Sequence, residues 1–242
     1  MAKERLDKLI ASTGRWSRRE VKTLVREGRV MVDGRIAGSA EEKYGAESCR
    51  IAVNGEELLL RRHTYVMLHK PAGVLSATED GRGRTVLDLL TPELRKIGVF
   101  PVGRLDKDTE GLLLLTDDGE LAHALLSPKK HVDKVYYARV SGRLAPEDCA
   151  AFEAGMTLGD GLECLPAGLE ILAAGETSEC LVTLREGKFH QVKRMLASRG
   201  APVITLHRLS MGTLSLPEDL LPGRWRPLTA EETAALRQSC GL

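Results

Sequence analysis

No apolar run in this chain approaches the roughly 20 residues needed to span a bilayer; the longest, Leu112 to Leu115, is strand-sized. The opening Met1-Ala2-Lys3-Glu4-Arg5 lacks the apolar core of an export signal, which predicts a cytoplasmic protein with no membrane partner. The five cysteines (Cys49, Cys149, Cys164, Cys180 and Cys240) are odd in number, widely spaced and without a C-x-x-C pair. That pattern speaks against a disulfide framework or a zinc site and predicts inert thiols. Also missing are the phosphate loop G-x-x-x-x-G-K-[ST], the dinucleotide fingerprint G-x-G-x-x-G and the metalloprotease signature H-E-x-x-H. The six histidines show no ligand spacing, so neither a metal nor an organic cofactor is expected.

What is present is a basic head on a nearly neutral body. The 242 residues carry a net charge of +1, yet residues 1–39 hold ten Lys or Arg against five Asp or Glu, leaving the remainder net acidic. Such asymmetry points to a polyanion partner. The length allows one large domain or two unequal ones.

In the head, residues 4–12 predict a short helix ended by Gly14. Ser17 with Glu20 three residues on reads as a capping box, opening a helix that runs to about Glu27 and stops at Gly28. Val30-Met31-Val32, the turn pair Asp33-Gly34 and Arg35-Ile36 predict a hairpin, and a further strand and Asn54-Gly55 turn lie in residues 50–60. Arg15, Arg18, Arg19, Lys22 and Arg26 fall on or beside the second helix. They are either a solvated surface or a phosphate-contacting one, and the scarcity of balancing acids at i, i+4 favours phosphate.

Leu60-Arg61-Arg62-His63 reads as a linker between a domain at 1–60 and another at 64–242. In the second, strands are predicted at 65–68, 112–116, 134–141, 179–185 and 203–209, and helices at 119–126, 146–154, 189–199 and 230–238. Without regular β-α-β alternation, the fold class is α+β on a mixed, mostly antiparallel sheet flanked by helices.

The densest cluster of ionisable groups is Gly103-Arg104-Leu105-Asp106-Lys107-Asp108-Thr109-Glu110-Gly111. A calcium loop is one reading, because Asp106, Asp108, Glu110, Gly111 and Asp117 fall at its positions 1, 3, 5, 6 and 12. The leucine strand that follows argues against it, and so does Leu114 at position 9, which offers no oxygen. A polar loop against a buried strand is instead a common place for a catalytic group.

Two sets of residues carry a family resemblance. Arg5-Leu6-Asp7-Lys8 and Ser17-Arg18-Arg19-Glu20 through Gly28 to Gly34 resemble the S4 RNA-binding domain. His69-Lys70-Pro71-Ala72-Gly73, Gly103 to Leu113 and Gly187-Lys188-Phe189-His190-Gln191-Val192-Lys193-Arg194 together resemble the signature blocks of pseudouridine synthases, in the branch that carries an S4 domain first. Ser127 to Tyr136 and Leu221 to Thr229 look most like the small-subunit branch of that family.

The resemblance implies an isomerase that turns a uridine of ribosomal RNA into pseudouridine. The small-subunit likeness points to 16S rRNA, uridine 516, in the free RNA or its assembly intermediate. A large-subunit enzyme of the same family and a non-catalytic RNA-binding assembly factor are the alternatives. A monomer without metal or cofactor is implied.

By position, Asp106 matches the aspartate that starts breakage of the glycosidic bond. Tyr136 matches the tyrosine that packs on the base; taken alone, a strand tyrosine reads as core. Lys193 matches a cation that pairs with the carboxylate. Arg194 is adjacent, and neighbours on a helix diverge by about 100°, so only one of the two faces Asp106, with Lys193 preferred. Arg104 and Arg194, with Arg5, Arg18, Arg19 and Lys22 of the head, are the expected RNA contacts; a surface ion pair with Asp108 or Glu110 is the other reading of Arg104. His190 is expected to support the helix that follows it.

Overall fold

The computed structural model describes residues 3–45, 49–58, 63–127 and 130–242. The linker at residues 60–62 and the Pro128-Lys129 part of one signature segment lie outside the described residues. The chain divides into two compact units, residues 1–64 with 90–99, and residues 65–89 with 100–242. The segment 90–99, which the sequence places with the larger part, groups instead with the smaller unit. Its helix Pro92–Ile97 lies so close to the first turn of the chain that a Cβ on Gly14 would stand 2.3 Å from the Glu93 carbonyl oxygen.

The smaller unit is built as a helix–helix–hairpin. Its first helix covers Leu6–Ala11 and starts later than residue 4, because Glu4–Arg5 pair as a strand with Lys43–Tyr44. The second, Arg18–Arg26, opens with the predicted capping box, Ser17 Oγ accepting from the Glu20 amide while the Glu20 carboxylate accepts from the Ser17 amide. Val30–Val32 and Arg35–Ile36 form the hairpin, and Ile51–Val53 with Glu56–Leu58 form a second. Both turns place two consecutive residues at positive φ, Asp33 at 49° with Gly34 at 79°, and Asn54 at 54° with Gly55 at 81°. Asn-Gly and Asp-Gly pairs suit such turns because they tolerate that conformation at low cost. Leu6, Ile10, Val21, Val30 and Ile51 close the core.

The larger unit carries a nine-stranded sheet. Along its main path the order is Gly168–Ala173, Thr177–Leu184, Lys134–Ser141, Val203–Met211, Glu110–Thr116, Tyr65–Lys70 and Trp225–Pro227. Only the pairing of Val203–Met211 with Glu110–Thr116 is parallel, so the sheet is mixed and mostly antiparallel. Leu112 to Leu115 are all fully buried, as a central strand covered on both faces requires. Leu112 and Leu114 pack against Leu121, Leu125 and Leu236, from the helices Gly119–Leu126 and Ala230–Ser239. Trp225–Pro227 lies at one edge of this path, where a proline removes no ladder hydrogen bond that matters. Among the described residues no helix is long and apolar enough to cross a membrane.

Asp7 ties the first two helices of the small unit together. Its side chain is 1% exposed and receives hydrogen bonds from Arg5 and Arg18 at 3.0–3.1 Å. Burial pushes its carboxyl up, but the two guanidinium groups outweigh that and hold it below the usual aspartate value. The stabilisation is therefore present above the unfolded value and is lost as pH falls through the folded one. Asp7→Ala is expected to cost this unit about 2 kcal/mol at neutral pH, the scale of a charge-assisted hydrogen bond removed from a buried site. The loss should shrink in acid. Urea unfolding at neutral and acidic pH checks it, and a pH-independent difference would show that packing is what the aspartate supplies.

Candidate active site

The loop bearing Asp106 is fixed by its neighbours more than by its own sequence. Ser76 Oγ donates to the Leu105 carbonyl at 2.8 Å and accepts from the Leu105 amide at 3.0 Å. The Gly73 amide donates to the Lys107 carbonyl at 2.7 Å, and the Thr109 amide closes a turn onto the Asp106 carbonyl at 3.1 Å. Beneath them lies Lys70, 0% exposed, whose ammonium donates to the carbonyls of Pro71, Lys107 and Thr109 at 3.0, 3.3 and 2.8 Å. Gly111, at φ 110°, lets the following strand pass against Arg208; a Cβ there would stand 2.3 Å from the Arg208 carbonyl oxygen.

Facing this loop is the first turn of the helix Gln191–Ser198, which starts two residues later than predicted because His190 sits in the left-handed region at φ 49°. Lys193 Nζ lies 2.9 Å from Asp106 Oδ2 and 2.6 Å from Asp108 Oδ1. Burial pulls the Lys193 ammonium down, but the two carboxylates more than offset it and hold it above the ordinary lysine value. The same contact holds Asp108 below the usual aspartate value. His190 Nε2 stands 3.5 Å from Asp106 Oδ1, and its ring stacks on Phe189 at 3.8 Å. The helix N-terminus adds a partial positive charge on the same side.

Arg194 turns the other way and pairs with Asp160. Of the two adjacent cations, Lys193 is the one the structure brings to Asp106. Gln191 and Lys188, joined through buried Glu186, hold the turn ahead of the helix.

A cavity of about 510 Å³ opens beside the loop, lined among others by Ser76, Arg104, Asp106, Lys134, Tyr136 and Arg208. That is room for a nucleotide. A smaller recess of about 80 Å³ lies between Asp106, Tyr136 and Lys193. Asp106 and Tyr136 line both. Arg104 is exposed at the cavity and makes no ion pair among the described residues, so the predicted alternative pairing with Asp108 or Glu110 is not formed. No group of three His, Cys, Asp or Glu among the described residues stands close enough to hold a metal ion.

Four residues escape or mislead a reading from sequence. Lys70, Lys134 and Arg208 all sit at inward parity on their strands, where alternation would have flagged a cation among core positions. His190, expected as a helix support, faces the carboxylate as well.

In the smaller unit, the expected RNA contacts are partly occupied. Arg5 and Arg18 hold Asp7, Arg15 pairs with Glu56 at 2.7 Å, and Lys22 lies 3.5 Å from Glu41. The balancing acids come from elsewhere in the fold rather than from i, i+4. Arg19 is exposed with no carboxylate partner among the described residues.

Residues 64–198 match the family described as RNA pseudouridylate synthase, and residues 4–47 match the S4 domain. A Bacillus subtilis protein named as an uncharacterized RNA pseudouridine synthase is 48% identical, covering 97% of this chain and 98% of that protein. The ribosomal small subunit pseudouridine synthase A of Vibrio cholerae is 40% identical, covering 96% and 99%. The ribosomal large subunit pseudouridine synthase B of Bacillus subtilis is 39% identical, covering 97% and 96%. A crystal structure described as a pseudouridylate synthase superposes with a TM-score of 0.67 at 35% identity, covering 96% and 99%.

Burial of Lys70 has a consequence for stability. Its ammonium is pulled down to about 8, mainly by burial and only partly restored by Asp108, Glu110 and Asp106. Between that value and the ordinary lysine value of 10.5 the unfolded chain binds a proton that the folded one has released, so this group raises stability with pH. Lys70→Met is expected to be more destabilised relative to wild type at about pH 10 than at about pH 7.5. Denaturant unfolding at both values reads this, and the reverse trend would mean that the fold prefers the ammonium.

Proposed function

The chain belongs to the RNA pseudouridylate synthase family, with an S4 domain ahead of the catalytic part, and on that premise we propose that it isomerises a uridine of small-subunit ribosomal RNA, uridine 516. Asp106 is the carboxylate that works at the ribose, Tyr136 packs on the base, and Lys193 keeps the carboxylate paired. The observation that carries this assignment is the 2.9 Å contact between Lys193 and Asp106 at the edge of a nucleotide-sized cavity lined by Tyr136.

The chemistry sets what the site must do. The N1–C1′ bond breaks, and the base turns and rejoins C1′ through C5, so the uridine first has to leave its stack. Extrusion costs a few kcal/mol, offset by stacking on an aromatic such as Tyr136. Arg104, exposed and without an ionic partner, contacts the RNA backbone or fills the space the base vacates. Asp106 then either adds to C1′ or takes the C2′ proton. In either case the acting oxygen has to be held in place, and the Lys193 ammonium 2.9 Å from Asp106 Oδ2 does that. The enzyme works as a cytoplasmic monomer, with Arg5, Arg18, Arg19 and Lys22 of the smaller unit and Arg194 of the larger as further RNA contacts.

The small-subunit target is supported by the relatives named for it in several bacteria at 38–40% identity. The large-subunit relative is as similar, so the experiment has to separate them. Pseudouridine mapping on both rRNAs from a deletion strain should lose one 16S site; loss in 23S instead would overturn the target. In the same assay, Asp106→Asn is expected to lower turnover by at least about 10³-fold while RNA affinity stays within about tenfold, because positioning contacts go mostly to phosphates. An active Asn variant would remove Asp106 from the mechanism.

The head makes a separate, electrostatic prediction. Removing one cation that neutralises a phosphate flattens the dependence of log K on log salt by roughly one unit. Arg19→Ala should show that flattening in full, and Arg18→Ala less, since Arg18 is already committed to Asp7. Filter binding across a salt series reads both slopes, and an unchanged slope for Arg19→Ala would mean that this face is merely solvated.

A further inference from the structure

Two cations lie at the base of the large cavity with no carboxylate paired to either among the described residues. Lys134 is 5% exposed and Arg208 is 2% exposed, and both line the cavity beside Tyr136. Arg208 is the cross-strand partner of Tyr136, and Lys134 precedes Tyr136 by two on the same strand, so all three share one face of the sheet. Lys134 Nζ donates to the Val132 carbonyl at 3.3 Å, and Arg208 Nε to the Leu112 carbonyl at 2.7 Å. Arg208 Nη2 is buried with no hydrogen-bond partner among the described residues. Asp133, the nearest acid in sequence, is taken by Arg185 at 2.7 Å. Burying two like charges side by side with donors unspent is costly unless a ligand supplies the missing acceptor.

We propose that Lys134 and Arg208 hold the detached uracil as its anion while it turns from N1 to C5 attachment. The inference rests on the isomerisation proposed above. When the N1–C1′ bond breaks, its electron pair leaves with the base and spreads over N1, C2 and O2. This is so whether Asp106 adds to C1′ or takes the C2′ proton. The C5–C1′ bond then forms as the Asp106 carboxylate leaves C1′ or returns its proton to C2′; C5 gives up its proton and N1 takes one, so the reaction is neutral overall. Between those steps a negative charge sits on the ring with no covalent tether, and two fixed cations there act where charge develops.

A backbone phosphate is the other anion available. Burial decides against it: the phosphates of an extruded nucleotide stay with the chain, at the mouth, where exposed Arg104 and Lys107 stand. The base is the part that reaches the floor.

The test uses 5-nitrouracil, a free base whose anion absorbs at longer wavelength than the neutral form, with RNA turnover measured alongside. Wild type is expected to bind the anion. Lys134→Met and Arg208→Met should each weaken it by about 10–100-fold, the loss of one charge-assisted hydrogen bond. Turnover should fall by about 10²-fold or more, RNA affinity should hold within about threefold, and Lys134→Arg should recover both readouts in part. Thermal unfolding checks each variant; should Arg208→Met fail to fold, Lys134→Met and Arg208→Lys carry the test. Equal 5-nitrouracil binding by wild type and Lys134→Met overturns the proposal, as does no binding by wild type. Competition by inorganic phosphate that disappears in Lys134→Met would assign the pair to a phosphate instead. Wild type that modifies neither rRNA would overturn the function itself, whereas active wild type with fully active Met variants overturns only the role of this pair.

Discussion

An aspartate placed to meet a sugar has to be charged, partly shielded from water and held still, and these demands conflict. Lys193 reconciles them. Its ammonium lies between Asp106 and Asp108, so the carboxylate facing the cavity has a partner while the more exposed one shares the load. The pairing works only if loop and helix meet within a few tenths of an ångström. That explains the density of hydrogen bonds behind the loop, where Ser76, Gly73 and Lys70 each seize a backbone group rather than a side chain. Backbone contacts leave the side chains of residues 104–107 to line the cavity.

The elements of this scaffold are legible in the sequence where local chemistry acts alone. The capping box at Ser17 and Glu20, the Asp33-Gly34 turn and the leucine strand each follow from a few adjacent residues. The edge strand Gly168–Ala173 is not legible, because its alternation stops after Leu169-Glu170-Ile171 and its place depends on pairing with Thr177–Leu184. The helix after Phe189 is shorter than its pattern suggests, since nothing local marks His190 for a left-handed backbone.

Within the site, Asp106 and the choice of Lys193 over Arg194 are accessible from motif resemblance and helical periodicity. Lys70, Lys134 and Arg208 are not. A basic residue in a strand ordinarily faces water; parity along the strand marks these three as inward, but only their three-dimensional neighbours show what they face. The head shows the converse. Its excess of arginine looks uncommitted in the sequence, yet Asp7, Glu41 and Glu56 claim much of it once the hairpins fold.

The positions of the cations in the larger unit therefore form a gradient. Exposed Arg104 and Lys107 stand at the cavity mouth, Lys193 half-way in against a carboxylate, and Lys134 and Arg208 on the floor with none paired to them among the described residues. Screening by water is strong at the mouth and weak at the floor, so equal charges there differ greatly in effect. Mouth cations attract any polyanion and lose force with salt. Floor cations respond only to a group that enters, and they act most strongly on charge that appears after entry. A site that must first capture RNA and then tolerate a transient anion from a neutral base needs both kinds, and this sheet supplies the second by turning two basic residues into its own core.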